Sequence, residues 1–253
     1  MGDAEILAAA NAWRDQDPDD ETRAELDALL VGAGHGSIEA IAQLRDRFDA
    51  RLEFGTAGLR GAIGAGPNRM NRVLVGQAAA GLAAYLLEHG DAPSVVIGYD
   101  GRKNSTVFAV DTAELMAGAG VRAILLPRLL PTPVLACAVR SLGASAGVMV
   151  TASHNPGTDN GYKVHLGGAD AGSQIVPPTD GLIAERIARD AAGDLRSLPR
   201  STAYEVAGED ILDDYIAATA AVGRAAGELN FVYTAMHGVG WETASRVFAA
   251  AGF

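Results

Sequence analysis

Ala146-Gly147-Val148-Met149-Val150-Thr151-Ala152-Ser153-His154-Asn155-Pro156 is the stretch on which the reading turns. Its first five residues are a short continuous apolar run, the pattern of a strand buried on both faces. An Asn-Pro pair then turns the chain. A serine at the end of such a strand is carried on a loop with its hydroxyl exposed. His154 stands beside it, and a lysine follows in Asn160-Gly161-Tyr162-Lys163. These groups suit a site that makes, holds and passes on a phosphoryl group.

Upstream, strands and helices alternate. Val95-Val96-Ile97 reads as a strand running into Gly98-Tyr99-Asp100-Gly101-Arg102, and residues 105 to 119 as a helix. Arg122 to Leu126 is a strand, and Pro131-Thr132-Pro133 opens a helix to Leu142. Residues 72 to 89 make a long helix ending at Gly90. Continuous apolar strands alternating with helices predict an α/β fold: a mixed, mostly parallel sheet sandwiched by helices. In such sheets ligands gather at the carboxyl ends of strands. Asp100-Gly101-Arg102 and Ser153-His154 both follow strand ends, so they share one rim.

The first fifty residues read as a helical extension. Asp17-Pro18 starts one helix, with Asp17 as cap and Pro18 in the first turn. Leu26, Leu29 and Leu30 give that helix its apolar side, and Gly32, Gly34 and Gly36 break the chain. Ser37 caps the next helix, with Ile38, Ile41, Leu44 and Phe48 at helical spacing. Residues 51–200 form the main domain. Residues 192 to 208, rich in Gly, Ser, Pro and charge, read as a linker. A second unit then starts over 209–253: a helix near 209 to 222, a strand Leu229 to Thr234, and a helix from Trp241. One strand and two helices bury no core alone, so this unit is expected to be incomplete.

The 253 residues carry a formal net charge of -11, with 49% hydrophobic residues. That balance fits a globular protein with a real core and argues against nucleic acid or an anionic membrane as main partner. The one cysteine, Cys137, reads as a buried inert thiol in an apolar helix, and a chain that forms no internal disulfide suits the cytoplasm. No run approaches the ~20 apolar residues of a membrane span. Lysine occurs only at 103 and 163 among 20 basic residues, as though retained where its chemistry matters.

Three further segments bear on chemistry. Gly55-Thr56-Ala57-Gly58-Leu59-Arg60-Gly61 brings backbone N–H groups and an arginine fork to one place, which suits phosphate, although alone it reads as a tight turn. Arg102 and Lys103 precede a helix start and either bind an anion or form a solvated loop with a cap at Asn104. Asp15 to Asp20 resembles an acidic metal loop, but acids just before a helix favour its positive end. His165 and His89 read as surface or helix-end histidines. A Ser–His hydrolase is disfavoured, since Gly-x-Ser-x-Gly is absent.

Taken together, Gly55 to Gly61, Asp100-Gly101-Arg102 and Thr151 to Pro156 followed by Asn160 to Lys163 resemble the α-D-phosphohexomutase family, which includes phosphoglucomutases and phosphomannomutases. Thr234-Ala235-Met236-His237-Gly238-Val239-Gly240 resembles the opening of that family's second domain. The resemblance implies an isomerase in which Ser153 carries the phosphoryl group and donates it to a sugar monophosphate through a sugar bisphosphate. Phosphate would move between C1 and C6 of a hexose, or C1 and C5 of a pentose. It implies Mg²⁺ on a phosphoryl oxygen of Ser153, and Arg60 and Lys163 beside the reacting group, with Lys163 handling the proton. Thr56, Arg60, His154 and Arg102 would contact substrate. The family's metal-binding aspartates and sugar-reading loops lie beyond residue 253, so the chain is expected to be truncated and inactive alone. The alternative is a non-catalytic phosphosugar-binding or interaction module of the same descent.

Overall fold

In the computed structural model, which describes residues 1–56, 58–223 and 230–253, the leader folds as helices α1 (Asp3–Gln16), α2 (Asp20–Gly34) and α3 (Ile38–Phe48). The start of α2 is displaced from the expected Asp17-Pro18. Asp19 is the cap, accepting from the Glu21 backbone N–H at 2.9 Å. Asp17 is buried instead, accepting from the Thr22 hydroxyl at 2.7 Å and from the Asp19 N–H at 3.0 Å. Several acids compete for one cap, and the buried Thr22 hydroxyl needs an acceptor, which decides which acid turns inward. α2 runs through Gly32 and Gly34, and the chain breaks at Gly36, where φ is +79°. Ser37 caps α3, accepting from the Ala40 N–H at 3.2 Å. The buried face of α3 is Ala40, Leu44 and Phe48, while Ile38 in the first turn is 80% exposed. The three helices share a core with Val73 and Leu195 of the main body.

That body contains β1 (Leu59–Ala62), α4 (Arg72–His89), β2 (Ser94–Tyr99), α5 (Ser105–Gly118), β3 (Arg122–Leu125), α6 (Thr132–Ser141) and β4 (Ala146–Val150). β5 (Asp159–Leu166), β6 (Ser173–Gln174), α7 (Thr179–Asp190) and β7 (Glu205–Val206) follow. The strand order is β1-β5-β4-β2-β3-β7, with β6 also paired to β5. β4, β2, β3 and β7 are mutually parallel, and β5 runs antiparallel to β4, β1 and β6. The sheet is therefore mixed and helix-covered, as expected. Val95, Ile97, Val148 and Val150 point into a core with α4, α5 and α7. Val96 and Met149 point to the opposite core, built with α6 and α8 (Asp210–Ala220). The period-2 alternation of β2 and β4 thus fills both layers.

Residues 192 to 208 are not a free linker. Leu195 is buried, and Arg200 Nη1 donates to Asp111 Oδ1 at 2.7 Å and Glu114 Oε2 at 2.9 Å. The Ser201 N–H donates to the Glu114 carbonyl at 3.0 Å, and β7 extends the sheet beyond residue 200. Polar composition concealed this segment because its anchors are charges meeting a buried carboxylate. α9 (Trp241–Ala250) packs on α8. Of the strand expected over 229 to 234, Leu229 lies outside the described residues, and 230–234 is irregular. There Phe231 meets Phe248 edge-on at 4.9 Å and Tyr233 stacks on Trp241 at 5.8 Å. No helix among the described residues is long and apolar enough to cross a membrane. Cys137 is partly exposed rather than buried.

Candidate active site

The rim is set by strand register. Tyr99 of β2 pairs with Val150 of β4, so Asp100 and Thr151, one residue beyond, come together. Thr151 Oγ1 donates to Asp100 Oδ2 at 2.6 Å and accepts from the Ser153 backbone N–H at 2.9 Å. Asp100 Oδ1 accepts from the Ser105 hydroxyl at 2.7 Å and the Arg102 N–H at 3.1 Å. Asn160, fully buried, donates to Ser105 Oγ at 3.0 Å and to the Lys103 carbonyl at 2.9 Å. This network holds Ser153 with φ +56°, while the residue itself is exposed. A left-handed backbone costs a non-glycine residue roughly 1–2 kcal/mol, so the surrounding bonds must over-determine it.

Two cations come to the same rim. Arg60 of β1 lies opposite Gly161 of β5, and Thr151 donates its N–H to the Gly161 carbonyl at 3.1 Å. Lys163 is two residues further along β5, so it shares a sheet face with Arg60. It is half-buried in mid-strand; the sequence pattern gave no strand there, since Asn160-Gly161 in isolation carries turn chemistry. Burial first, then the charges of Arg60 and Arg102, hold Lys163 below its ordinary 10.5, with Asp100 opposing. Arg60 is exposed and has no ion-pair partner among the described residues. A net-acidic chain thus presents a locally cationic rim.

The other expected residues divide. Thr56 is exposed on the turn before β1, and its carbonyl accepts from Gln174 Nε2 at 3.0 Å. The turn is tight: Gly58 donates to the Gly55 carbonyl at 2.7 Å and has φ +71°. Ala57 lies outside the described residues. His154 is exposed beside Ser153. Arg102, expected to face substrate, turns inward and donates to loop carbonyls at Ser153, Asn155, Pro156 and Asp159. Lys103 pairs with Glu21 of α2. Asn104 sits at the cap position of α5 but makes no side-chain cap bond. His165, expected at the surface, is buried with its Nδ1 2.9 Å from the Gly172 carbonyl oxygen. His89 ends α4 and stacks on Tyr85 at 4.2 Å.

Sequence reasoning missed Asp100, Thr151, Ser105 and Asn160 as the frame of the loop. The signal was available in the aligned ends of two adjacent parallel strands, each followed by a residue with hydrogen-bonding side-chain oxygen.

A divalent cation finds little on this frame. The carboxylates beside the loop are committed, Asp100 to Thr151 and Ser105, and Asp159 to Asn155 Nδ2 at 2.8 Å. Among the described residues no three His, Cys, Asp or Glu side chains group to hold a metal.

A sequence model described as phosphoglucomutase/phosphomannomutase, alpha/beta/alpha domain I, matches residues 51–193. A probable phosphomannomutase of Haemophilus influenzae is 60% identical over 184 residues, covering 72% of this chain and 38% of that protein. A phosphoribomutase of Saccharomyces cerevisiae is 35% identical over 259 residues, covering 93% of this chain and 40% of that protein. Among solved structures, a phosphomannomutase described as putative, from Thermus thermophilus, superposes with a TM-score of 0.58 at 31% identity, covering 69% of this chain and 37% of that one. The chain therefore spans less than half the length of these relatives.

Proposed function

The chain belongs to the phosphoglucomutase/phosphomannomutase family, and from that premise we propose that it carries the phosphoserine relay of a phosphosugar mutase. Ser153 Oγ holds the phosphoryl group. A sugar monophosphate hydroxyl attacks that phosphorus, the Oγ–P bond breaks, and the hydroxyl proton passes through the uncharged form of Lys163 to the departing Oγ. The resulting bisphosphate presents its other phosphate to Ser153. Oγ attacks, the sugar O–P bond breaks, and the Ser153 hydroxyl proton passes through Lys163 to the leaving sugar oxygen. Arg60 offsets charge on the phosphoryl oxygens.

One observation carries the reading: an exposed Ser153 is fixed in a left-handed backbone at a cationic rim where Lys163 sits below its ordinary pKa. Lowering the lysine pKa gives it a neutral fraction that can accept a proton. The similarity to a probable phosphomannomutase and a phosphoribomutase supports the substrate class, a hexose or pentose phosphate. Mg²⁺ on the phosphoryl oxygen of Ser153 rests on family resemblance. The described side chains do not complete a metal site.

The test is intact-mass and peptide mass spectrometry after incubation with glucose 1,6-bisphosphate. One added phosphate, located on Ser153 and lost in Ser153→Ala, is expected. Phosphate placed on another residue, or none in the wild type with magnesium supplied, refutes the relay.

A further inference from the structure

We infer that Arg102 is a positioning residue: it shapes the Ser153 loop from inside by gripping four of its carbonyls, so that backbone N–H groups, and not the guanidinium, face the phosphoryl oxygens. The functional half of this inference rests on the relay reading of Ser153; the structural half does not.

The guanidinium is directed wholly inward. Nη1 donates to the carbonyls of Pro156 at 2.7 Å and Asp159 at 3.0 Å. Nη2 donates to those of Ser153 at 2.7 Å and Asn155 at 2.8 Å, and Nε faces Asp100 Oδ2 at 3.4 Å. Arginine has five N–H groups in a rigid plane, whereas the lysine ammonium is a compact point charge with three. A ring of four carbonyls around one side chain therefore calls for arginine by shape as well as charge. The side chain is 14% exposed, which leaves it little surface for a ligand.

The grip has a consequence for the outer face of the loop. In a trans peptide the C=O and N–H point in opposite directions, and the peptide bonds of this loop are trans. Drawing the Ser153 and Pro156 carbonyls onto Arg102 turns the N–H groups of His154 and Gly157 away from it. Neither N–H has a partner among the described residues, and both residues are exposed. The loop thus presents backbone donors on the side opposite a largely buried positive charge, an arrangement that receives anions. Thr151, held by Asp100, fixes the near end through the Ser153 N–H.

The experiment measures amide exchange across residues 152–160 by NMR in wild type, Arg102→Ala, Arg102→Lys and Arg102→Gln, with circular dichroism melting to check the fold. The grip predicts that all three substitutions speed exchange at the Ser153 N–H by roughly tenfold or more, as local opening becomes easier. Millimolar guanidinium restores protection in Arg102→Ala and not in Arg102→Lys. Wild-type exchange in Arg102→Lys means that charge alone suffices and overturns the inference, as does unchanged exchange in Arg102→Ala. If Arg102→Ala does not fold, the Lys and Gln variants carry the same comparison. Phosphate uptake at Ser153 from glucose 1,6-bisphosphate is followed on the same samples. Uptake unaffected by Arg102→Lys, in a chain whose wild type takes up phosphate, overturns the functional half. No uptake in the wild type, with exchange behaving as predicted, removes the relay reading and leaves the grip standing.

Discussion

Gly58→Ala, set against Gly55→Ala, isolates the turn that presents Thr56 and Arg60. The two glycines face each other across the same hairpin, yet their surroundings differ. Gly58 has φ +71°, and a Cβ there would overlap the Tyr162 carbonyl oxygen and lie 3.1 Å from Lys163 Cα. At Gly55 a Cβ would meet nothing within 4 Å. Alanine at 58 incurs roughly 1–2 kcal/mol for left-handed backbone and about 1–3 kcal/mol for overpacking against main chain that cannot rotate away. Reduced freedom of the unfolded chain offsets about 0.4–1 kcal/mol of this. The net loss is about 1–4.5 kcal/mol, which lowers the melting temperature by about 2–18 °C at this chain length. Gly55→Ala should stay close to wild type. Urea and thermal unfolding followed by circular dichroism make the comparison. The same push moves β1 away from β5 and so draws Arg60 from Lys163, raising the lysine pKa toward 10.5. If the two variants melt within about 2 °C of each other, the close approach of the turn to β5 is wrong.

The pair of lysines makes a second test simple. Competitive acylation across a pH series should show Lys163 titrating below 10.5, and Arg60→Ala should raise it only in part, since burial is the larger cause. Asp111→Ala should destabilise the chain by about 3–5 kcal/mol in urea, because it strips a buried carboxylate from Arg72 (2.7 and 2.8 Å) and Arg200 (2.7 Å). Trypsin should then cut first near Arg200, in the segment that this carboxylate anchors. Burial and the nearby Lys163 hold His165 below its ordinary 6.5, against the pull of the Gly172 carbonyl. The folded chain therefore binds fewer protons than the unfolded chain as pH falls past 6.5, and stability drops there. His165→Asn should flatten that part of the urea-midpoint profile between pH 7 and 5, and an unchanged slope would refute the assignment.

What was legible in the sequence was the part governed by local rules. The apolar runs at 95–97, 122–126 and 146–150 became parallel strands, and the helix over 72–89 has the bounds its pattern gives. What was not legible depended on partners far along the chain. Arg200 looked like linker because the carboxylates that receive it are 86 and 89 residues away. Asp17 looked like a cap because nothing in its neighbourhood marks the Thr22 hydroxyl as buried. β5 was hidden by Asn160, an amide that signals a turn in isolation but here sits buried, bonding Ser105 across the rim.

Arg102 is the sharpest case, and it shows what a sequence pattern leaves open. An arginine after a strand and before a helix reads as an anion receptor or as part of a solvated loop, since charge is visible in a sequence and direction is not. Direction is set here by one register: Tyr99 beside Val150 brings Asp100 to Thr151, and Asp100 Oδ2 stands 3.4 Å from the Arg102 Nε. Once the guanidinium is pulled that way, the loop carbonyls 51 to 57 residues downstream are its nearest acceptors. Shifting β2 against β4 by one residue would put the Asp100 side chain on the other face of the sheet and release the arginine toward solvent. The alignment of two strand ends thus determines whether this cation meets the ligand or builds the loop that does.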